Sequence, residues 1–224
     1  MSLPTPVKAA VVRISTTSGS IKVVAEPGLT EVRSNTGPLL TDESSTTIEG
    51  GHARVSVRVP EGTDLVVGAR SGRVTIEGRV GSVSAVTTSG RVSIDAAGSV
   101  DVRTKSGRID VGRTMSTCRA VASSGRIEVG RCGEADVTTR SGRIVLKDAH
   151  GTVRAHCVSG RVEIAMATAD DVDAETVSGR IGISLPSAVR PQIVSSRGDI
   201  VDAAAFDCVV VARSGSGRVD VSNR

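Results

Sequence analysis

Apolar and polar residues alternate along most of this chain, and the alternation restarts at a regular interval. Each restart is marked by Ser-Gly-Arg followed by Val or Ile, as in "TSGRVSIDAAGSVDVRTKSGRID" at residues 88–110. The marking glycines are 17 to 19 residues apart, and at one of them the order changes to Ser-Arg-Gly-Asp-Ile. They are Gly72, Gly90, Gly107, Gly125, Gly142, Gly160, Gly179, Gly198 and Gly217. This self-similarity indicates a repeated structural unit.

Each repeat contains two short segments with a period of two, which is the period of a β-strand. In the Ser-Gly-Arg repeats, the positions two and four places after the glycine hold Val, Ile or Leu, as at Ile127 and Val129. The positions seven and five places before the glycine hold smaller apolar residues, as at Cys118 and Ala120. Residues at the same offset from the glycine form a column of the repeat. The four apolar columns are predicted to point inward.

A repeat of about 18 residues is too short to bury an apolar face alone, so successive repeats are expected to stack. The sequence therefore predicts an all-β fold, a right-handed parallel β-solenoid (two-sheet β-helix) of about nine coils with 17–19 residues per coil. The right hand follows from the general preference of parallel crossovers. Glycine tolerates positive φ, and serine hydroxyls can bond to nearby turn backbone. We therefore interpret Ser-Gly-Arg mainly as a corner.

The regularity of the repeat indicates one continuous structural domain with two parts. Residues 1–60 are less regular, with one Ser-Gly corner at Gly19 and a loop rich in Pro, Gly and acidic residues. We interpret them as a β-rich N-terminal cap and first coil, with a linker as the weaker alternative. Residues 61–224 carry the solenoid repeats. The last strand, "RVDVS", is expected to leave an open edge.

The composition agrees with two closely spaced sheets. The chain of 224 residues contains no Trp or Tyr and a single Phe, Phe206. No stretch approaches the 18 apolar residues of a membrane span, so no transmembrane segment is predicted. The start, "MSLPTPVKAA", lacks the layout of a secretory signal. The expected location is the cytoplasm, with envelope association through a partner as the alternative.

The segment "VRVPEGTDLVVGARSGRV" and the tandem Ser-Gly-x-Ile/Val turns that follow it carry a family resemblance. Over roughly residues 53–222 the chain resembles the bacterial putative-adhesin family of β-solenoid domains, a domain of unknown function. The resemblance implies the β-solenoid fold and an adhesin-like role.

The column immediately after the glycine is an outward ladder of arginine. Its members are Arg73, Arg91, Arg108, Arg126, Arg143, Arg161, Arg180 and Arg218. Neighbouring coils are about 4.8 Å apart, so unrelieved charges would repel by about 1 kcal/mol in water. Acidic residues two places further along can relieve part of this repulsion; they are Asp110, Glu128, Glu163 and Asp220. The coils of Arg143 and Arg180 have Val145 and Gly182 there instead.

The arginine ladder has two interpretations. In the first, the arginines are solvated and brace the corners. In the second, they bind an anionic polymer or an acidic partner, as the net charge of +4, the pI near 9.2 and the bidentate geometry of arginine favour. The nearby acids and the lack of stacking aromatic rings weigh against the second interpretation, and nucleic acid is not an expected partner.

A second outward column, six places before the glycine, alternates in charge from coil to coil. It contains Ser84, Asp101, Arg119, Asp136, Arg154 and Asp173. Opposite cross-strand pairs contribute roughly 0.2 to 1 kcal/mol each, and a slip of one coil would place like charges together. This column is predicted to fix the register of stacking.

The cysteines and histidines suggest little chemistry. The four cysteines, Cys118, Cys132, Cys157 and Cys208, are interpreted as apolar filler, with Cys132 in an exposed loop as the one candidate for redox sensitivity. The three histidines, His52, His150 and His156, lack a zinc-binding spacing, although His150 could approach Asp148. The acidic group Asp170, Asp171 and Asp173 is interpreted as a solvated turn rather than a calcium site.

The tripeptide Arg-Gly-Asp at residues 197–199 is in phase with the corner glycines, so the repeat explains it without a role in cell attachment. No nucleotide fingerprint, catalytic triad or paired carboxylates occur in a supporting context. No catalytic, cofactor-binding or metal residue is predicted, and enzyme activity is not expected.

Two functional hypotheses follow. The first is a non-catalytic β-solenoid scaffold or interaction protein that acts through self-association or a protein partner. The alternative is a binding module for an anionic polymer or acidic partner through the arginine ladder.

Overall fold

The computed structural model describes residues 11–35, 40–41, 45–166, 168, 170–187, 191–195 and 208–223, and these contain strands and no helix. The strands are β1 (Val11–Glu26), β2 (Arg33–Ser34), β3 (Leu40–Thr41), β4 (Ser45–Glu49), β5 (Val55–Pro60), β6 (Asp64–Thr114), β7 (Thr117–Cys132), β8 (Glu134–Ala149), β9 (Val153–Met166), β10 (Val172–Leu185), β11 (Pro191–Ser195) and β12 (Cys208–Asn223). Most strands continue without interruption past a corner glycine, and β6 includes three such glycines.

The strands pair in parallel, coil upon coil. The order in the sheet is β11-β12-β10-β9-β8-β7-β6-β1-β4-β3, with β5 on β1 and β2 on β5. Repeats meet at equivalent residues, so Gly125 pairs with Gly107 on one side and with Gly142 on the other. The predicted β-solenoid is therefore confirmed. Its hand, the number of coils and the boundary at residue 60 stay predictions.

The core is the space between the inward columns on the two sides of the corner. On one side it holds large branched residues such as Ile127 and Ile144, and on the other small ones such as Ala120 and Ala155; all four are at most 2% exposed. Period-2 alternation thus becomes a continuous apolar interior along the stack. Val219 and Val221, in the last coil, are only partly buried.

The corner positions require glycine because the backbone of the neighbouring coil lies too close for a Cβ atom. At Gly125, a Cβ atom would lie well inside van der Waals contact with the carbonyl oxygen of Gly107, and φ is 131°. The same overlap, with the carbonyl of the neighbouring corner glycine as the obstacle, recurs at the described Ser-Gly-Arg corners; the affected residues are Gly72, Gly90, Gly107, Gly125, Gly142, Gly160, Gly179 and Gly217. At Gly19 the obstacle is the carbonyl of Ala53. Only a residue without Cβ lets the coils approach to sheet spacing here.

Buried threonines, rather than the corner serines, supply several of the hydroxyl bonds at the corner. Thr104 and Thr139, three places before their glycines, each direct Oγ1 toward the carbonyl oxygen of the corner serine two residues on, at 3.5 and 3.4 Å. Thr87 Oγ1 also donates to Thr104 Oγ1 at 2.9 Å, which links two coils. Side-chain hydrogen bonds therefore stabilise the turn, and they come from threonines that face the core.

The first coil along the chain is not the first coil in the stack. β1 pairs with β6 on one side, with Gly19 opposite Gly72, and with β4 and β5 on the other. The short strands β2 and β3 then pair antiparallel with β5 and β4. These antiparallel pairs cover part of the outer edge, as terminal coils of solenoids require.

A similar inversion occurs at the other end. Consecutive repeats were expected to be neighbours, but the repeat of Gly217 pairs directly with that of Gly179, and β11 pairs on the outer side of β12 from Pro191 opposite Cys208. The Gly198 repeat therefore does not separate them, and its corner lies outside the described residues. Stacking selects matching columns, which the Gly217 repeat supplies. The open edge expected at "RVDVS" stays a prediction.

Candidate functional site

The eight ladder arginines form one column on the outside of the corner, called the arginine ridge below. From Arg108 onward, each lies opposite the arginine of the next coil in the parallel register. Each follows its corner glycine directly, so the strand that leaves the corner holds the side chain outward while the next residue enters the core. The structure thus brings the sequence-predicted residues together.

In the middle of the ridge, acidic side chains bridge neighbouring arginines. Arg108 Nε lies 2.6 Å from Asp110 Oδ1, and its Nη2 lies 3.1 Å from Glu128 Oε2. Arg126 Nη2 is 2.9 Å from the same Glu128 oxygen, and Lys147 Nζ contacts Oε1. The hydrogen bond from Lys147, aided by the two arginines, lowers the pKa of Glu128, and Asp110 raises the pKa of Arg108. In this part of the ridge the arginines are therefore linked to acidic side chains of their own chain in one ionic network.

Elsewhere the ridge is only partly neutralised. Arg161 and Arg218 each pair with the acid two places on, at 3.4 and 2.8 Å. Arg73, Arg143 and Arg180 form no salt bridge with any described residue. For the last two, the sequence already indicated the reason, because Val145 and Gly182 occupy the acid position.

Two of the unpaired arginines, Arg143 and Arg180, border a shallow open groove along the corner. The groove is lined by Gly142, Arg143, Gly160, Arg161, Gly179, Arg180, Ser216, Gly217 and Arg218. Because the corner residues are glycines, backbone atoms form one part of the lining, and the arginine side chains form the other. Guanidinium groups in such a row can bind carboxylate or phosphate oxygens in a bidentate manner.

Two exposed valines flank the same corners, and the sequence reasoning missed them. Val158 and Val177 are 39% and 54% exposed and lie two places before Gly160 and Gly179. The signal was present in the sequence, because the other Ser-Gly-Arg repeats before them hold polar residues at this offset, namely Arg70, Thr88, Lys105, Ser123 and Arg140.

The alternating charge column lies in register, as predicted. Arg119 is opposite Asp101 on one side and Asp136 on the other, and Arg154 is opposite Asp136 and Asp173. The closest approach in this column joins Arg119 Nε to Asp136 Oδ2 at 3.7 Å. Arg119, Asp136 and Arg154 therefore each meet opposite charge on both neighbouring coils.

The expectation that Cys132 lies in an exposed loop is wrong. Cys132 is the last residue of β7, lies opposite Ala149 and is 1% exposed, because the inward alternation of the strand continues to its end. Burial raises the pKa of Cys132 to about 11 and that of Cys118 to about 12. Burial also raises the pKa of Cys157. A raised thiol pKa opposes redox sensitivity.

The other weak candidates have structural contacts. His150 Nε2 lies 3.3 Å from Asp148 Oδ1, and the Arg131 hydrogen bond to Asp148, at 2.6 Å, lowers the pKa of that carboxyl. Asp171 Oδ1 accepts a hydrogen bond from Val209 N at 2.9 Å, which ties the acidic turn to β12. Within the described ranges, no three His, Cys, Asp or Glu side chains are grouped to hold a metal ion. The Arg-Gly-Asp tripeptide lies outside those ranges.

Among the residues that the structure describes, no helix has the length and apolarity needed to cross a bilayer.

The parallel pairing and the outward columns define a β-solenoid repeat protein with a charged ridge along its corners. The chain belongs to the Toastrack DUF4097 family, a domain of unknown function whose model matches residues 1–208. The family resemblance drawn from the sequence is thus confirmed.

A solved structure from Clostridium sporogenes ATCC 15579, described as a "putative cell adhesion protein", is similar over 97% of this chain and 94% of its own, with 10% identity and a TM-score of 0.24. No curated protein matched the chain.

Proposed function

We propose that this chain is a non-catalytic β-solenoid scaffold that acts by binding a protein partner or further copies of itself. The observation that carries this proposal is the residue-for-residue register of successive coils, which holds outward side chains in fixed columns. Solenoids use such extended, repetitive surfaces for recognition.

Light scattering coupled to size exclusion, at low and high salt, tests the proposal. Dimers or larger assemblies that persist at both salt concentrations support self-association. A monodisperse monomer at high protein concentration, together with no partner recovered from cell extract, would contradict a scaffold role.

A second candidate function is supported by the charges of the ridge. The ridge binds an anionic polymer or an acidic partner, because Arg73, Arg143 and Arg180 are exposed and form no salt bridge with a described residue. An unpaired guanidinium group can bind an anion without first breaking an intramolecular ion pair. The free-energy cost of binding is therefore lower than for a group that is already paired.

The test of this second function compares the natural chain with a variant in which Arg73, Arg143 and Arg180 are changed to Gln. We expect salt-sensitive binding to anionic probes that disappears in the variant while circular dichroism shows an intact fold. Binding that is unchanged in the variant eliminates the ridge as the site.

A further inference from the structure

The arginine ridge departs from its own pattern in the coils of Gly142, Gly160 and Gly179. Two of the three arginines there, Arg143 and Arg180, have no acid two places on. Glu163 is the single acid in that position across the three coils, and it pairs with Arg161 at 3.4 Å. In these three coils the arginine column and the acid column beside it therefore hold three arginines and one acid, whereas Arg108 and Arg126 are matched there by Asp110 and Glu128.

A second departure occurs in the same coils and is independent of the first. Val158 and Val177 are two of the five strongly exposed large apolar side chains among the described residues. Their coils are neighbours, with Ser159 opposite Ser178. The two valines thus form a short apolar strip before the Ser-Gly corner, while Arg161 and Arg180 follow it.

We infer that these residues form a docking site for an acidic segment of a partner protein that also carries apolar side chains. The site, called the valine–arginine patch, consists of Arg143, Arg161, Arg180, Val158 and Val177. This inference rests on the proposed function of the ridge and names both the part that binds and the class of partner.

The combination of chemistries selects a protein over an anionic polymer. The exposed guanidinium groups of Arg143 and Arg180 are two coils apart, about 10 Å, and each fits a carboxylate in a bidentate manner. The valine strip gains free energy by covering aliphatic side chains, as in the apolar centre of a protein interface. A polyphosphate has no group that would cover the valines.

The acid column of the other coils suggests variants that neutralise the arginines of the patch by intramolecular ion pairs, without removing an arginine. In the double variant Val145→Glu/Gly182→Glu, the acid column is complete, so Arg143 and Arg180 gain intramolecular partners like the one Arg108 has in Asp110. A Cβ atom at Gly182 would meet no atom within 4 Å, so the site accommodates a side chain. The matched control is Val145→Gln/Gly182→Gln, which adds the same bulk without charge.

The probe is a labelled twelve-residue peptide with the repeating sequence Glu-Leu-Glu-Ser, measured by fluorescence anisotropy. We expect it to bind the natural chain, with affinity at least about tenfold lower in the Glu double variant, because the contacts of both Arg143 and Arg180 with the peptide are weakened. The Gln control should bind like the natural chain. The Val158→Ser/Val177→Ser variant should bind at least about threefold more weakly, since the buried apolar area is small.

Three results would overturn the inference. If the peptide does not bind the natural chain, there is no such site. If inorganic polyphosphate, or a peptide with Ser in place of Leu, binds as tightly and the valine variant has no effect, the ridge recognises charge alone. If Arg108→Gln/Arg126→Gln weakens binding as much as the Glu double variant does, the whole ridge binds acids and the localised patch is wrong, while the second candidate function stands.

Discussion

At the repeat corner, glycine satisfies two requirements that arise from different parts of the molecule. At the described Ser-Gly-Arg corners other than Gly179 its backbone adopts a positive φ, and its missing Cβ leaves room for the carbonyl oxygen of the neighbouring corner glycine. The first requirement follows from the turn and could be argued from the sequence. The second exists only once the coils are stacked, so it depends on the neighbour rather than on the turn.

We expect Gly125→Ala to destabilise the fold by about 2–4 kcal/mol, because the new Cβ overlaps a backbone atom that cannot move without displacing its coil. The control is Gly182→Ala, where the space is open and no left-handed φ is needed. That change should alter the free energy of unfolding by less than about 0.5 kcal/mol. Urea unfolding of both variants checks this, and equal effects would contradict the steric explanation.

The buried cysteines should be unreactive while the chain is folded. With the pKa of Cys132 near 11 and that of Cys118 near 12, the thiolate fraction at pH 8 is about a hundredfold or more below that of an ordinary thiol. We expect slow labelling by Ellman's reagent in native buffer and rapid labelling in urea, with mass spectrometry to assign the sites. Fast native labelling of Cys132 would show that β7 opens at its end.

The same thiols should make stability fall at alkaline pH. Their pKa values are higher in the folded chain than in the unfolded chain, so the folded state retains protons that the unfolded state loses. The stability that they contribute is therefore fully present below about pH 9 and is lost as the pH rises through about 11 and 12. The Cys118→Ala/Cys132→Ala variant should show a weaker decline in urea midpoint between pH 8.5 and 10.5.

Single residues also show where reading the sequence succeeds. The members of the ridge and the missing acids at Val145 and Gly182 could be predicted, because a fixed repeat places equal offsets in one column. The burial of Cys132 could not, because it lies outside the aligned columns and depends on how far β7 continues beside β8. Val158 and Val177 were visible in the sequence but stand out only when their exposure is known.

At the scale of the strand, register has two sources of different strength. The inward columns bury Val, Ile and Leu, and each large side chain contributes about 1.5–3 kcal/mol on burial. The alternating column from Asp101 to Asp173 contributes less per pair, but it distinguishes one neighbouring coil from the next. Apolar burial therefore determines that coils stack, and the charges favour particular neighbours.

A double-mutant cycle on Arg119 and Asp136 measures the second contribution. With alanine at each position, we expect a coupling free energy of about 0.2–1 kcal/mol at low salt, because both groups are roughly half exposed. In 1 M NaCl the coupling should approach zero as screening increases. A coupling that is absent at low salt would mean that this column has no role in register.

At the scale of the whole molecule, the order of coils in space departs from their order along the chain at both ends. β1 lies inside β4 and β5, and β12 lies inside β11. The repeat period, the turn residues and the inward columns predict that coils stack. They do not predict the order of similar coils in space, so the sequence pattern could not reveal these inversions. They follow from long-range pairing between segments whose patterns match.

This arrangement makes a testable prediction about protection from hydrogen exchange. β1 has parallel partners on both sides. Among the described residues, the outer edge of β5 is covered only by the two residues of β2 and by Asn35, whose Oδ1 accepts a hydrogen bond from Ser56 N at 2.6 Å. Amides of β1 should therefore exchange at least about tenfold more slowly than those of β5, as in interior strands such as β8. If β1 instead exchanges like a fraying terminal strand, β5 is its neighbour only transiently and the inverted order of coils is wrong.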